Sequence, residues 1–323
     1  MIYVFYKFIR KMQLPKLNND ICSVISKYLI IKEYKLLDWI NILELKFNHY
    51  LSSNINAIDF LRKNKDIINW NLLSYNPNAI ELLQENLDKI DWNLLSYNKN
   101  AIKIIKENPN KINWLYLSSN PNAIEILIEN PDKIDWNNLS GNPNAIELLR
   151  ENPNKIDWDM LSVNPNAISI LKENFNDINW ELLSSNINAI ELLREYPDNI
   201  HWDYLSSNDN PNAIQLLREY PDKIDWYWLS SNPNAIELLK ENPDKIDWYR
   251  LSLNPNAINL LRENKDKINW FNLSSNPGAI ELLKENPDKI NYTMLSKNKS
   301  IFILHDNTKN IENKKKILDI LFS

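Results

Sequence analysis

The apolar and polar positions of this chain follow one pattern that repeats every 22 residues. Each repeat reads approximately W-x-x-L-S-x-N-P-N-A-I-E-L-L-K-E-N-P-D-K-I-D, as it does from Trp226 to Asp247. A fixed period of this length is typical of a solenoid, because one repeat alone cannot bury its apolar side. The tryptophans that mark the pattern are Trp70, Trp92, Trp114, Trp136, Trp158, Trp180, Trp202, Trp226, Trp248 and Trp270, with one two-residue insertion before Trp226.

Within one repeat, the spacing of the apolar residues predicts two helices. Trp136 and Leu139 lie three residues apart, and the Ala-Ile-x-Leu-Leu run that follows also has helical spacing. An Asp or Asn precedes most tryptophans, as an N-cap would. Asn142-Pro143 predicts the start of the second helix, and Asn152-Pro153 predicts its end. We expect a helix of one to two turns, a tight corner, a helix of about nine residues and a short return.

The pattern predicts an all-α, elongated alpha-solenoid of about ten to eleven repeats over residues 48–298, with a helical cap at 1–47 and a capping helix at 299–323. Packed helices lie about 8–10 Å apart, which gives a body on the order of 100 Å long. The alternative is a horseshoe like that of leucine-rich repeat proteins, since L-S-x-N is similar to part of that motif. The polar residue two positions before the leucine, such as Asn71, argues against a buried strand there.

The tryptophan column is expected to be a buried spine of the core, because its spacing and context are constant. The alternative is a platform on which bases or sugars stack. The serine after each leucine is expected to bond to the local backbone at the corner.

The repeat W-x-x-L-S-x-N-P-N-A-I-E-L-L-x-E-N-P-D-K-I resembles the Asn-rich short repeats of proteins from giant DNA viruses of amoebae, the mimivirus-like group. The resemblance covers about three quarters of the chain. It implies a repeat protein of the interaction type, and it supplies no catalytic residues to this sequence.

A second resemblance concerns the segment that begins at Asp20, DICSVISKYL. Ile21, Ile25, Tyr28 and Leu29 have the spacing seen in the first helices of F-box motifs. The resemblance implies that residues 14–39 bind a ubiquitin-ligase adaptor, which would make the protein a substrate receptor for a cullin-type ligase. The other interpretation is an amphipathic helix that shields the first repeat.

Composition narrows the classes of function. The net charge of −5 argues against broad phosphate binding, so a nucleic-acid-binding repeat protein is kept only as an alternative. Cys22 is the single cysteine, which favours a reducing compartment. The pattern shows no signal peptide and no apolar run of about 18 residues, so we expect no membrane partner and a location inside the cell, the cytoplasm of the infected host cell. The heavy use of Asn, Ile and Lys is interpreted as the bias of an AT-rich genome.

Catalytic chemistry finds no support in the sequence. His49, His201 and His305 stand far apart, without a second metal ligand at zinc spacing. With two glycines in the chain, neither a phosphate-binding loop nor a nucleophile elbow is present. We therefore expect no enzyme, no catalytic or metal-binding residues and no cofactor. A basic row and an acidic row in the second helices are expected to form a solvated, neutral face.

The two positions after each tryptophan vary between repeats and become aromatic toward the end of the array. Large rings and arginine are the side chains on which binding energy concentrates. We expect these residues to bind a protein or peptide along one face of a non-enzymatic scaffold, or else to pack against neighbouring repeats. The candidate partner-binding residues are Tyr204, Tyr227, Trp228, Tyr249, Arg250 and Phe271.

Overall fold

The computed structural model describes residues 33–305, and these residues are mostly helical. Each regular unit contains a first helix that begins at the tryptophan, a tight corner, a second helix and a 3-10 return. The predicted all-α solenoid is confirmed. The horseshoe alternative is wrong, because the segment that would be its strand is helical.

Among residues 33–305, eleven first helices and eleven second helices alternate along the array. The first helices are Trp70–Tyr75, Trp92–Tyr97, Trp114–Ser118, Trp136–Ser140, Trp158–Val163, Trp180–Ser184, Trp202–Ser206, Trp226–Ser230, Trp248–Leu251, Trp270–Ser275 and Tyr292–Leu295. The second helices are Ile58–Lys63, Ile80–Gln84, Ile102–Glu107, Ile124–Glu129, Ile146–Glu151, Ile168–Glu173, Ile190–Glu195, Pro211–Glu219, Ile236–Glu241, Ile258–Glu263 and Ile280–Lys284.

The remaining elements lie before, between and after these helices. A further helix, Ile42–Lys46, precedes the first unit, in which the 3-10 helix His49–Ser53 takes the place of a first helix. The 3-10 returns are Lys65–Ile67, Leu87–Lys89, Pro109–Lys111, Pro131–Lys133, Pro153–Lys155, Phe175–Asp177, Pro197–Asn199, Pro221–Lys223, Pro243–Lys245, Lys265–Lys267 and Pro287–Lys289, and two more 3-10 turns are Pro277–Ala279 and Lys299–Ile301. Two strands, β1 (Glu33–Leu36) and β2 (Phe302–His305), lie at the two ends of the described chain.

The core of each unit is made by its leucines and its alanine. Leu139, Ala145 and Leu149 are fully buried, and the same positions are buried in the neighbouring units. Trp136 packs against this core but keeps part of its ring at the surface, and so do the other tryptophans of the array. The expected buried tryptophan spine is therefore wrong in its degree of burial, because the short first helix places tryptophan at the margin of the core.

The second helices are shorter than predicted. In most units they have five or six residues, with the buried alanine as the N-cap. Asn142 does not cap this helix, because its side chain bonds to other parts of the backbone. The predicted cap of the first helix is correct, since Asp135 accepts a hydrogen bond from the backbone N–H of Asn138.

The two-residue insertion before Trp226 lengthens one helix. Asn210 caps the nine-residue helix Pro211–Glu219, so the extra residues form a helical turn and not a bulging loop. Trp202 and Trp226 stay in neighbouring first helices that contact each other. The insertion is absorbed without a break in the array.

Buried asparagines link every unit to the preceding one. Asn142 Nδ2 donates to the carbonyl oxygens of Ser118 and Asn120 at 2.9 and 3.0 Å, and its Oδ1 accepts from the N–H of Asn144 at 3.0 Å. The residue is 1% exposed, so these bonds are shielded from water. The abundance of asparagine thus has a structural role, beyond the genome bias that the sequence suggests. Within residues 33–305 the same two donor bonds recur at twelve positions: Asn54, Asn76, Asn98, Asn120, Asn142, Asn164, Asn186, Asn208, Asn232, Asn254, Asn276 and Asn298.

Serine adds a second link between units. Ser140 Oγ donates to the carbonyl oxygen of Trp136 at 2.8 Å, which is the local bond that the sequence predicts. The same oxygen accepts from the backbone N–H of Asp157 in the next unit at 2.9 Å. Its position is fully buried, so the hydroxyl satisfies a donor and an acceptor that water does not reach.

We call these twelve linked asparagines the asparagine ladder, and this ladder closes on itself. Asn54, in the first unit, donates to the carbonyl oxygens of Ser296 and Asn298 in the last unit, at 3.0 Å each. These are the bonds that every other ladder asparagine makes to its preceding unit. The described residues therefore form a ring of twelve units, so the solenoid is closed, whereas the sequence predicts an elongated body of about 100 Å.

A two-stranded antiparallel sheet completes the seam, which is the place where the last unit of the ring meets the first. β1 pairs with β2 in the register Glu33 with His305 and Leu36 with Phe302, and β1 also packs against the helix Ile58–Lys63. The rings of Phe60 and Phe302 lie 5.8 Å apart across the seam. The sequence predicts a helix from residue 299, but its described part is a 3-10 turn and β2, because these residues must fill the gap at the seam. Residues 1–32 and 306–323, with most of both predicted caps and of the F-box-like segment, lie outside the described residues.

The first helices lie nearer to the axis of the ring than the second helices. Most neighbouring first helices pack closely against each other, whereas neighbouring second helices approach less closely, apart from Ile190–Glu195 and Pro211–Glu219. In a closed ring, the elements with the smaller spacing lie at the smaller radius. The face of each first helix that is turned away from the core therefore faces the axis.

We expect that removal of one ladder amide destabilises the ring. Asn164→Ala removes two buried hydrogen bonds: the carbonyl oxygen of Asn142 still accepts from the N–H of Ala145, but that of Ser140 is left without a donor. The change should lower the free energy of unfolding by about 2–4 kcal/mol. Asn166→Ala is the matched control, because its amide donates to Pro143 at an exposed site, and should cost less than about 1 kcal/mol. Urea unfolding measures both values, and equal losses would contradict the ladder's role.

The closure itself is tested by a disulfide across the seam. Lys35 and Ile303 are opposite each other in the β1–β2 register, and opposite residues lie about 4.5–5.5 Å apart between Cα atoms, within the range of a disulfide. In a Cys22→Ser background, Lys35→Cys with Ile303→Cys should form an intramolecular disulfide in high yield, detected by mass spectrometry of the oxidised protein. Lys35→Cys with Glu191→Cys is the control that should remain reduced. If the thiols introduced at the seam stay unbridged under oxidation, the two ends do not meet.

Candidate functional site

The surface that faces the axis is made by three positions of each first helix, the first, second and fifth after the tryptophan. Trp136, Leu139 and Ser140 turn inward to the core or lie at its margin, whereas Asn137 is exposed. Successive residues of a helix are rotated by about 100°, so the first, second and fifth positions share one face. The variable residues of the repeat therefore form a single surface, which we call the axial face.

The six candidate residues lie on the axial face, in four consecutive units. Tyr227 and Trp228 are 43% and 38% exposed, and Tyr249 and Phe271 are each 50% exposed. Tyr204 is half-buried. The rings of Tyr227, Trp228, Tyr249 and Phe271 are not sealed between units, but Arg250 and Tyr204 contact neighbouring units, so both interpretations of these residues stay predictions.

Arg250 holds two of the rings together. Its guanidinium carbon lies 4.3 Å from the centre of the Tyr227 ring and 4.1 Å from the centre of the Trp228 ring, both in the preceding unit. The two rings meet edge to face, with their centres 5.4 Å apart. Within the described residues Arg250 forms no ion pair, and its Nε is sheltered without a hydrogen-bond partner. A cation stacked on rings in this way orders a large apolar surface before any ligand arrives. We give the name aromatic cluster to the group of Tyr227, Trp228, Arg250, Tyr249 and Phe271.

Tyr204 bonds to the preceding unit on the axial face. Its hydroxyl donates to Glu181 Oε1 at 3.0 Å. This hydrogen bond and the negative charge of Glu181 raise the pKa of Tyr204 above its ordinary value of 10.0, because loss of the phenolic proton would place two negative charges side by side. Tyr204 therefore stays a neutral donor that positions Glu181.

Three carboxylates precede the aromatic rings on the same face. Asp159, Glu181 and Asp203 occupy the first position after the tryptophan in three consecutive units, and Tyr227, Tyr249 and Phe271 occupy it in the next three. None of the three carboxylates forms an ion pair with a Lys or Arg of the described chain. We call them the acidic row. The first position after the tryptophan thus forms a stripe along the axial face, and this stripe changes from acidic residues to aromatic residues.

The charges of the second helices are arranged differently. Arg218 forms a bidentate ion pair with Glu241 of the next unit through both of its terminal nitrogens. Arg262 pairs with Glu285 of the next unit through one terminal nitrogen, which donates to both carboxylate oxygens. The ion pair lowers the pKa of Glu241 and raises that of Arg218. Basic and acidic rows thus neutralise each other on the outer side, as the sequence predicts, whereas the acidic row on the axial face has no Lys or Arg partner among residues 33–305.

Sequence reasoning missed a second aromatic feature of the axial face. Tyr75 and Tyr97, at the fifth position after their tryptophans, stack with ring centres 5.5 Å apart. Both are exposed. The signal was present, because the two tyrosines stand 22 residues apart in a position that is small or polar in most other units.

The described part of the chain offers little support for other kinds of functional site. Residues 33–305 contain no group of three His, Cys, Asp or Glu side chains placed to hold a metal ion, and the longest of their helices, with nine residues, could not span a membrane. A pocket beside the seam is lined by Tyr34, Asp59 and Arg62 among others. Its polar groups already bind one another or a neighbour, since Asp59 accepts from the N–H of Tyr34 and Arg62 pairs with Glu85.

Comparisons of this chain with protein-family models, with curated proteins and with solved structures find no match.

We expect the aromatic cluster to contribute little to stability. The double change Trp228→Ala and Arg250→Ala removes exposed or half-buried side chains and should move the melting temperature by only a few degrees. Leu229→Ala, at the adjacent and fully buried residue, should cost about 2–5 kcal/mol and lower the melting temperature strongly. Thermal unfolding followed by circular dichroism compares the two. An equally large loss in the double variant would place the cluster in the core.

Proposed function

We propose that this protein is a non-enzymatic, ring-shaped scaffold that binds a protein or peptide segment on the aromatic cluster of its axial face. The single observation that carries the proposal is the stacking of the Arg250 guanidinium over the rings of Tyr227 and Trp228 at an exposed surface. Tyrosine, tryptophan and arginine supply large contact area with few rotatable bonds, which is the composition of protein-binding hot spots.

The constant and variable parts of the repeat support the same function. Constant residues such as Asn142, Ser140 and Leu139 hold the units together, and they are buried. The residues that change between units lie on the exposed axial face. An array of this design keeps one scaffold and alters its ligand through a few surface positions.

The alternatives from the sequence draw less support from the described residues. A nucleic-acid partner would meet the carboxylates of Asp159, Glu181 and Asp203 on the axial face, which repel phosphates. The resemblance to F-box motifs concerns residues 14–39 and stays a separate proposal, in which the ring would hold the substrate. The resemblance to repeat proteins of giant DNA viruses adds the interior of an infected host cell as the proposed setting.

The proposal is tested by selection of peptides on the purified, full-length ring. A random peptide library displayed on phage is panned against the wild-type protein, and selected peptides are synthesised and titrated by fluorescence anisotropy. Trp228→Ala with Arg250→Ala should weaken their binding at least about tenfold, since hot-spot side chains are each worth about 2 kcal/mol or more.

The matched control is Tyr116→Ala. Tyr116 is 38% exposed, as Trp228 is, and lies on the axial face far from the cluster. It should leave the binding of the selected peptides nearly unchanged. If selection yields no peptides, or only peptides that bind the double variant as tightly as the wild type, the proposed function is wrong.

A further inference from the structure

We infer that the ligand of the axial face is a segment with a block of lysine or arginine residues next to a block of apolar residues. The basic block would lie on the acidic row (Asp159, Glu181 and Asp203) and the apolar block on the aromatic cluster. The inference rests on the proposed function and adds the chemistry and the orientation of the ligand.

The acidic row keeps its charge within the described ring. The ring neutralises its outer charges by pairs such as Arg150 with Glu173. Asp159 is instead held by the amide of Asn179 at 2.8 Å, and Glu181 by the hydroxyl of Tyr204 at 3.0 Å. Both partners are neutral donors, so they orient the carboxylates and leave the negative charges in place.

The charges of the acidic row lie on a concave surface. Asp159, Glu181 and Asp203 lie in neighbouring first helices on the inner side of a closed ring. Carboxylates that face a shared low-dielectric cleft reinforce each other's potential and attract cations. A basic partner gains from that potential, whereas an acidic partner is excluded.

Arg250 adds a positive charge at the aromatic end of the axial face. It is the cation of the aromatic cluster, and it faces the rings of Tyr227 and Trp228. Its charge repels a basic group at the aromatic end of the stripe. The ligand's basic block is therefore directed to Asp203 and the other carboxylates of the acidic row, which fixes the orientation of the segment on the stripe.

The spacing of the units suits an extended chain. Packed helices are about 8–10 Å apart, and an extended peptide advances about 3.3 Å per residue, so successive units are reached by side chains about three residues apart. Six units carry the acidic row and the three rings that continue it. A segment of roughly fifteen residues would span them.

The test uses three synthetic, fluorescently labelled peptides and the full-length ring. All three peptides carry the same leucine- and phenylalanine-rich block, joined to a second block of lysine, glutamine or glutamate. Fluorescence anisotropy should give tighter binding for lysine than for glutamine, and for glutamine than for glutamate. The lysine peptide should lose about tenfold in affinity between roughly 50 and 300 mM NaCl, because salt screens charges at this range.

The decisive variant is the triple amide Asp159→Asn, Glu181→Gln and Asp203→Asn. It keeps the acceptor atoms for Asn179 and Tyr204 and removes only charge. The order of the three peptides should disappear in this variant.

The matched control is the triple variant Glu147→Gln, Glu191→Gln and Glu281→Gln. It removes three exposed charges of the second helices that form no ion pair within residues 33–305, and it should preserve the order of the peptides. Melting temperatures of both triple variants establish that each remains folded.

Three outcomes would overturn the inference: binding of the glutamate peptide as tight as that of the lysine peptide, an equal loss of preference in the control triple, or no binding by any of the three peptides. These outcomes are distinguishable from failure of the proposed function. If peptides selected from the random library depend on Trp228 and Arg250 but not on the acidic row, the scaffold function stands and the basic ligand is wrong.

Discussion

The structure depends on the buried side-chain amide of one asparagine in each unit. Asn142 has its oxygen and both of its amide hydrogens satisfied while it is 1% exposed, and it bridges its own corner to two carbonyl oxygens of the preceding unit. Because each amide points to the preceding unit, the ladder has a direction. An open array would leave the carbonyl oxygen of Ser296 without a donor at one end and the amide of Asn54 without acceptors at the other. Closure between Asn54 and Asn298 removes both defects, and buried groups of this kind are costly when they are left unpaired.

The same amides explain why the array curves. They hold neighbouring corners at hydrogen-bond distance, next to the first helices, whereas the second helices are separated by leucine and isoleucine side chains. Each unit is therefore narrow at the axis and wide outside, and twelve such wedges complete one turn. At the seam, where the last described unit has no second helix, β1 and β2 fill the wide side. The helix Pro211–Glu219 shows that an insertion is accommodated on that side without disturbing the ladder.

Much of the unit could be predicted from the sequence, because a repeated pattern states each local rule many times. The period, the two helices and the cap by Asp135 follow from apolar spacing and from the preference of Asp for helix N-termini. Helical geometry also places Trp228 and Arg250 on one face, but their direct contact depends on the offset between neighbouring first helices. Closure could not be predicted, because it depends on the wedge angle of a unit, a small quantity that accumulates over the ring. Tryptophan does not identify every unit, since the first and last units lack it. The ladder asparagine is present in those units as Asn54 and Asn298, and it identifies all twelve described units.

A closed ring changes what a repeat array offers to a ligand. An open solenoid can bend and add units, but a ring has a fixed number of units and a wall whose curvature is set by its ladder. The axial face is consequently rigid, and a rigid surface loses little conformational entropy on binding. The acidic row and the aromatic cluster stand in a fixed order on this wall, so they distinguish the two directions in which a segment could lie. If the proposed ligand binds there, its specificity would come from that order, because a reversed segment would place its cations on Arg250 and its apolar side chains on the carboxylates of the acidic row.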